Sequence, residues 1–188
     1  MKHFLFFVCF LTFLSAANAD LLLKPGDPAP SRLLYNFNDA VNPNFNPSRG
    51  IALKSFFGTK AVVLSFFTKE CKACMVEIPA LQQIKDEYAD KNIVFYAVLI
   101  KAAGETLTEL EAEIKKRGYT IDILYHSAID AIMKDYIKDK SGKLLPVPLM
   151  YVIGKSGNIS SIHCGFDTKN VEAEKNRIKA EINKALQK

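Results

Sequence analysis

Two hydrophobic periods alternate along the second two thirds of the chain. Ala61 to Phe67 and Ile93 to Ile100 are continuous apolar runs of strand length, rich in β-branched and aromatic residues. Lys72 to Tyr88, Glu105 to Arg117 and Ala128 to Lys138 instead mix apolar and charged residues in the manner of amphipathic helices. A short strand is predicted at Ile121 to Leu124, between the second and third helices. After a proline-bearing block come two more strands, Leu149 to Ile153 and Ile159 to His163, joined by Gly154-Lys155-Ser156-Gly157-Asn158 as an antiparallel hairpin. A last helix runs from about Lys169 to Leu186. Apolar strands alternating with amphipathic helices imply an α/β fold, with a mostly parallel sheet and helices on both faces. Pro79 falls inside the first helix, where it removes a backbone donor and is expected to kink it.

The N-terminal part is patterned differently. Lys2 and His3 precede the apolar stretch Phe4 to Leu14, and Ala17-Asn18-Ala19 follows, which reads as a Sec-type signal peptide at 1–19 cleaved before Asp20. The apolar stretch is too short for a helix crossing a bilayer core of about 30 Å. This predicts a periplasmic or secreted protein without stable membrane insertion, and Cys9 leaves with the leader. The remainder, 20–188, suits one domain with a real hydrophobic core. Leu21 to Pro30 is extended, because Pro25, Pro28 and Pro30 exclude a helix. Asn36 to Arg49 carries asparagine and proline turn signals and reads as a long loop in a hairpin-like extension. The formal charge of +5 is scattered, with lysines interleaved among acids, so these positions read as solvated helix faces. No basic stripe interleaved with aromatics points to nucleic acid.

The chemistry concentrates at Cys71-Lys72-Ala73-Cys74, between the apolar run ending at Phe67 and a strongly helical segment. A thiolate at a helix start sits among unpaired amide N–H groups and the positive end of the macrodipole, which favour its ionised, nucleophilic form. A second thiol three residues on can resolve a mixed disulfide by intramolecular attack. Lys72 should lower the Cys71 pKa further, whereas Glu70 opposes it. Half of a zinc site has the same spacing, so the surroundings must decide.

Those surroundings resemble the thioredoxin superfamily, and more closely its exported TlpA/ResA-type thiol-disulfide oxidoreductases. The matching pieces are Gly26-Asp27-Pro28-Ala29-Pro30, the strand into C-x-x-C, Glu77-Ile78-Pro79-Ala80-Leu81, and the block from Val147-Pro148 to Gly157. The resemblance implies a thioredoxin fold, a central mixed sheet flanked by helices, here with the N-terminal extension and an αβ insertion between Lys101 and Lys140. It implies catalysis by Cys71 and Cys74 without cofactor or metal. Pro148 is expected to be cis beside the cysteine pair, exposing the backbone of Val147 to a substrate strand. The implied partners are protein thiols or disulfides, such as apocytochrome c, and a membrane electron donor. Glu70 stands where the family usually has tryptophan, and Lys72-Ala73 where it often has prolines. Ser65 stands where thioredoxins proper keep a buried aspartate, so proton transfer from the resolving thiol must use water or another group.

The remaining polar residues have plainer expectations. Glu77, one turn beyond Cys74, is expected to be a solvated helix position and not a proton shuttle. Cys164 is expected to be structural, His126 a loop or cap residue, and Phe66, Phe67, Phe95 and Tyr96 core. His163 and Cys164, as strand neighbours, point to opposite faces and could not ligate one metal without a bulge. Two other functions share the fold. Thr68 to Cys71 has the T-x-x-C spacing of peroxiredoxin-type peroxidases, but Leu64 stands where those have proline. Sco-like copper proteins resemble a C-x-x-x-C pair plus a histidine, one residue longer between the cysteines.

Overall fold

The computed structural model describes residues 21–42, 44–125 and 129–187; the predicted leader and its cleavage site, like His126, lie outside the described residues. In chain order the elements are β1 (Leu33–Asn36), α1 (Phe37–Ala40), β2 (Ile51–Ala52), β3 (Ala61–Phe67), α2 (Cys74–Glu87), β4 (Ile93–Leu99) and α3 (Leu107–Arg117). They continue with β5 (Asp122–Tyr125), α4 (Ile129–Ile132), β6 (Leu149–Ile153), β7 (Ile159–Cys164) and α5 (Val171–Leu186). The strands form one seven-stranded sheet in the order β2-β1-β5-β4-β3-β6-β7.

The sheet is mixed, and less parallel than the alternating pattern predicts. Only β3, β4 and β5 run parallel, with Ala61 opposite Ile93 and Phe67 opposite Leu99. β6 joins β3 antiparallel, β7 follows β6 through the predicted hairpin, and β1 adds antiparallel to β5. The reason is connection length: the short turn between β6 and β7 permits only an antiparallel pair, whereas parallel neighbours need a crossover. Asn36 to Arg49 is not a plain loop. It carries α1 and a short turn of 3-10 helix, and the β1–β2 pair flanking it makes the expected hairpin.

β3 is buried at every residue, and its two side-chain rows face different layers. Val63 and Phe67 meet Ile78, Leu81 and Ile84 of α2, Leu110 of α3, and Ile178 and Ile182 of α5 in one cluster. Val62, Leu64 and Phe66 meet Leu34, Leu53, Ile132, Tyr136 and Tyr151 in the other. The long helices therefore share one face. α4, a wide π turn at Met133–Ile137 and the N-terminal segment cover the opposite one.

That opposite layer is fastened by aromatic contacts and polar ties. Phe66, Tyr136 and Tyr151 pack with ring centroids 5.1–6.1 Å apart. The Tyr151 hydroxyl donates to the Tyr136 carbonyl at 2.6 Å, and the Tyr136 hydroxyl to the Pro30 carbonyl. Arg32 pairs with Asp135. Replacing Tyr151 by phenylalanine strands a buried carbonyl of the wide turn. It should lower the denaturation free energy by about 1–2 kcal/mol in a urea titration.

The extended lead-in is held against the β6–β7 turn, where Gly26 N–H donates to Ile159 O at 2.8 Å and Ala29 N–H to Gly157 O at 2.9 Å. Gly157 has φ +83°, and a Cβ there would lie 2.6 Å from the ring of Phe57, so the turn requires glycine twice over. α2 continues through Pro79, which removes one donor without ending the helix.

Candidate active site

The cysteine pair lies where the central strand gives way to α2. The helix starts at Cys74, two residues later than its pattern predicts, and Cys71 to Ala73 form the turn leading in. The Cys71 carbonyl already accepts from Met75 N–H at 3.2 Å, so Cys71 sits at the position from which the helical bonds begin. Its Sγ accepts the N–H of Cys74 at 3.1 Å, the orientation that stabilises negative charge on that sulfur. Cys71 and Cys74 are joined as a disulfide, with Cα atoms 5.2 Å apart. The two sulfurs are unequally placed: Cys71 is half-buried, whereas Cys74 is 1% exposed inside the core beneath α2.

Pro148 and Val147 come to the pair from the loop before β6. The Val147–Pro148 bond is cis, and the Val147 carbonyl oxygen lies 3.5 Å from Cys71 Sγ. Pro148 is buried, and its carbonyl accepts from Gly165 N–H at 2.8 Å, which anchors the loop to the end of β7. Beside Thr68 an open, mostly apolar groove is lined by Ile100, Lys101, Ala102, Ala103, Met133 and Leu144. Charges ring the cysteine turn: Lys69 Nζ lies 3.1 Å from Glu105 and 3.5 Å from Glu70. The acid expected to oppose a Cys71 thiolate thus has a cation of its own.

Glu77 is not solvated, contrary to the sequence expectation. It is 2% exposed, and its Oε2 accepts from the Oγ of fully buried Ser65 at 2.9 Å. Burial pushes its pKa up to about 7; the Ser65 bond opposes this, Glu174 raises it further and Arg177 lowers it. The physical reason is helical phase. Cys74, Glu77, Ile78, Leu81 and Ile84 form the inward stripe of α2, at the spacings that share a helix face. Glu77 therefore sits one turn from Cys74 on the same side, in the core. Two signals pointed there: a polar residue inside the inward stripe, and Ser65 inside an otherwise apolar strand.

His163 and Cys164 lie side by side on β7 and serve different layers. His163 is buried, with Nε2 3.5 Å from Ser161 Oγ, and burial with the nearby Arg177 cation pushes its pKa down to about 4. Cys164 packs on the opposite cluster, half-buried, its thiol pKa raised by burial. Among the described residues no group of three or more His, Cys, Asp or Glu side chains is placed to hold a metal. No helix among them is long and apolar enough to cross a membrane.

A mixed sheet whose central strand runs into a C-x-x-C turn, faced by a proline loop and backed by two helices, defines a thioredoxin-like protein. The chain belongs to the AhpC/TSA family, whose model matches residues 26–162. The thioredoxin-like protein YneN of Bacillus subtilis is 31% identical over 118 residues, covering 62% of this chain and 63% of YneN. The thiol-disulfide oxidoreductase ResA of Bacillus thuringiensis is 30% identical over 122 residues, covering 63% of this chain and 62% of ResA. The chain thus spans less than two thirds of the length of these relatives. Among solved structures, a thiol:disulfide interchange protein of Chlorobium tepidum has TM-score 0.63 at 21% identity, covering 86% of this chain and 97% of that one. The thioredoxin domain of a thiol-disulfide oxidoreductase from Bacteroides vulgatus has TM-score 0.62 at 16% identity, covering 86% and 99%. Those structural likenesses concern the fold alone. The sequence-level resemblance to ResA-type proteins is borne out.

Proposed function

We propose that the protein is an exported thiol-disulfide oxidoreductase that reduces disulfides of other polypeptides through Cys71 and Cys74. The observation that carries this reading is the asymmetry of the pair: a half-buried sulfur with an amide donor at a helix start, backed by a buried sulfur three residues on. In the reduced form the Cys71 thiolate attacks one sulfur of a substrate disulfide. That S–S bond breaks, and its electron pair leaves on the other substrate sulfur. Cys74 then gives its proton to the Glu77 carboxylate and attacks Cys71 Sγ. The second substrate thiolate departs, and the Cys71–Cys74 disulfide remains, to be re-reduced by a membrane electron donor.

Other features support polypeptide substrates. The Val147 carbonyl beside Cys71 offers an acceptor to an extended backbone, as in strand addition, with buried Pro148 fixing the loop that presents it. The apolar groove beside Thr68 offers side-chain purchase. We assign 1–19 to a cleaved leader and 20–188 to a single thioredoxin-like domain. Exported thiol proteins such as apocytochrome c are the proposed clients.

The deciding assay gives the reduced protein a polypeptide disulfide and a reductant. Catalysed reduction that falls to background in Cys71→Ser is expected. Rapid peroxide consumption without disulfide reduction would instead place Cys71 with the T-x-x-C peroxidases. Stoichiometric copper or zinc displaced by alkylating Cys71 would make the pair a metal carrier of the Sco type.

A further inference from the structure

The face of the sheet beneath α2 and α5 is mostly apolar, but it carries the buried polar side chains Ser65, Ser161 and His163. In register, Ser65 of β3 lies opposite Met150 of β6, and Met150 opposite His163 of β7. Side chains of paired residues share a sheet face, so Ser65 and His163 stand on the same side, in one row and two strands apart. Glu77 reaches this row from α2 and bonds Ser65. α5 packs against α2 across the same cluster and carries Glu174 and Arg177, which are ion-paired with each other. The charged groups acting on Glu77 from the elements around it are these two; Ser65 is its neutral partner from the sheet. Arg177 also acts on His163, at the other end of the row.

A structural hydrogen bond to Ser65 would not need this arrangement. Glutamine makes the same bond without burying a charge, and an ionised carboxylate with one donor is expensive to bury. A carboxyl in this place is useful when its proton must come and go, and Cys74 is one helical turn away.

We propose that Ser65 is a positioning residue for Glu77, and that α5, through Arg177 and Glu174, belongs to the same proton-handling unit. The acidity of the resolving step is then set from outside the C-x-x-C turn. Ser65 aims the carboxylate and stabilises its ionised form by donation. Arg177 favours that form as well, and Glu174 opposes it while restraining Arg177. This assignment rests on the reading of Glu77 as proton acceptor for Cys74.

The test follows resolution of the mixed disulfide, from Cys71 charged with a small aromatic thiol to the free Cys71–Cys74 disulfide, between pH 5 and 9. In the wild-type protein the rate should rise through a midpoint near 7, where Glu77 ionises. Ser65→Ala and Arg177→Gln should move that midpoint to higher pH by roughly half a unit or more, and Glu174→Gln should move it lower. Ser65→Thr, which keeps the hydroxyl, should return towards wild type. General loosening of the fold cannot shift the two α5 variants in opposite directions. The Arg177 side chain is about half exposed and that of Glu174 is partly covered, neither being a core residue, so these two variants decide the matter even if Ser65→Ala folds poorly. Coincident midpoints, or Arg177→Gln and Glu174→Gln moving alike, overturn the proposal while the oxidoreductase reading stands. A Glu77→Gln profile identical to wild type would remove its premise instead.

Discussion

Replacing Cys74 by serine should leave the first chemical step intact and stop the second, so that the protein accumulates as a mixed disulfide with its substrate. The reason lies in the unequal placement of the two sulfurs. Cys71 keeps its partial exposure and its seat at the head of α2, so substrate disulfides still reach it. A serine hydroxyl at position 74 is far too weak an acid to ionise beside Glu77 and expel the bound thiolate. Incubating reduced Cys74→Ser with a disulfide-bonded polypeptide and separating the products without reductant should show a covalent adduct that dithiothreitol releases. Cys71→Ser should give none, and multiple turnover by Cys74→Ser should fall to background. An adduct formed by Cys71→Ser through Cys74 would reverse the roles. An adduct surviving loss of both would point to Cys164, whose half-buried position and raised thiol pKa weaken it as a nucleophile. The adduct would also report which polypeptides are clients.

The position of Cys71 was legible because it depends on local pattern. A strand apolar at every residue ends at Phe67, and its observed bounds match the predicted ones. The hairpin of β6 and β7 was legible for a similar reason, its turn residues falling between two apolar runs. Glu77 was not. Polar residues on a helix are mostly solvated, and only the meeting of α2 with β3 shows that this one points at Ser65, 12 positions away in sequence. β1 was also hidden: four residues carry too little periodicity, and its partner β5 lies about 90 residues on. The end of the third predicted helix failed for a different reason. Its spacing suits a regular helix up to Lys138, yet residues 133–137 widen into a π turn that brings the Tyr136 carbonyl to the Tyr151 hydroxyl. Local pattern thus located the cysteine pair, whereas the buried carboxyl one turn from Cys74 emerged from long-range packing.

Glu77→Gln is expected to make the oxidised protein more stable and its chemistry slower, and the stability gain should depend on pH in a defined way. The folded-state pKa of Glu77 is raised to about 7 from an ordinary value of 4.5. Below pH 4.5 both folded and unfolded chains hold the proton, and the carboxyl carries no penalty. Between 4.5 and 7 the unfolded chain releases a proton that the folded one retains, so stability falls as pH rises, levelling above 7 after a loss on the order of 3 kcal/mol. His163 works in the opposite direction. Its folded pKa is depressed to about 4 from 6.5, so the unfolded chain binds the extra proton and stability rises with pH over that window. The two slopes nearly cancel between pH 4.5 and 6.5, and the wild-type profile should be close to level there. Glutamine at 77 keeps an acceptor for Ser65 and removes only the falling slope. Urea titrations of Glu77→Gln should therefore show stability climbing from pH 4 to 6.5 and exceeding wild type by about 3 kcal/mol at pH 8, with no advantage near pH 4. In the same variant the mixed disulfide should resolve slowly, with no rise through pH 7. A variant that gained no stability at pH 8 would mean that the carboxyl is solvated in solution, and the proton path from Cys74 would have to run through water.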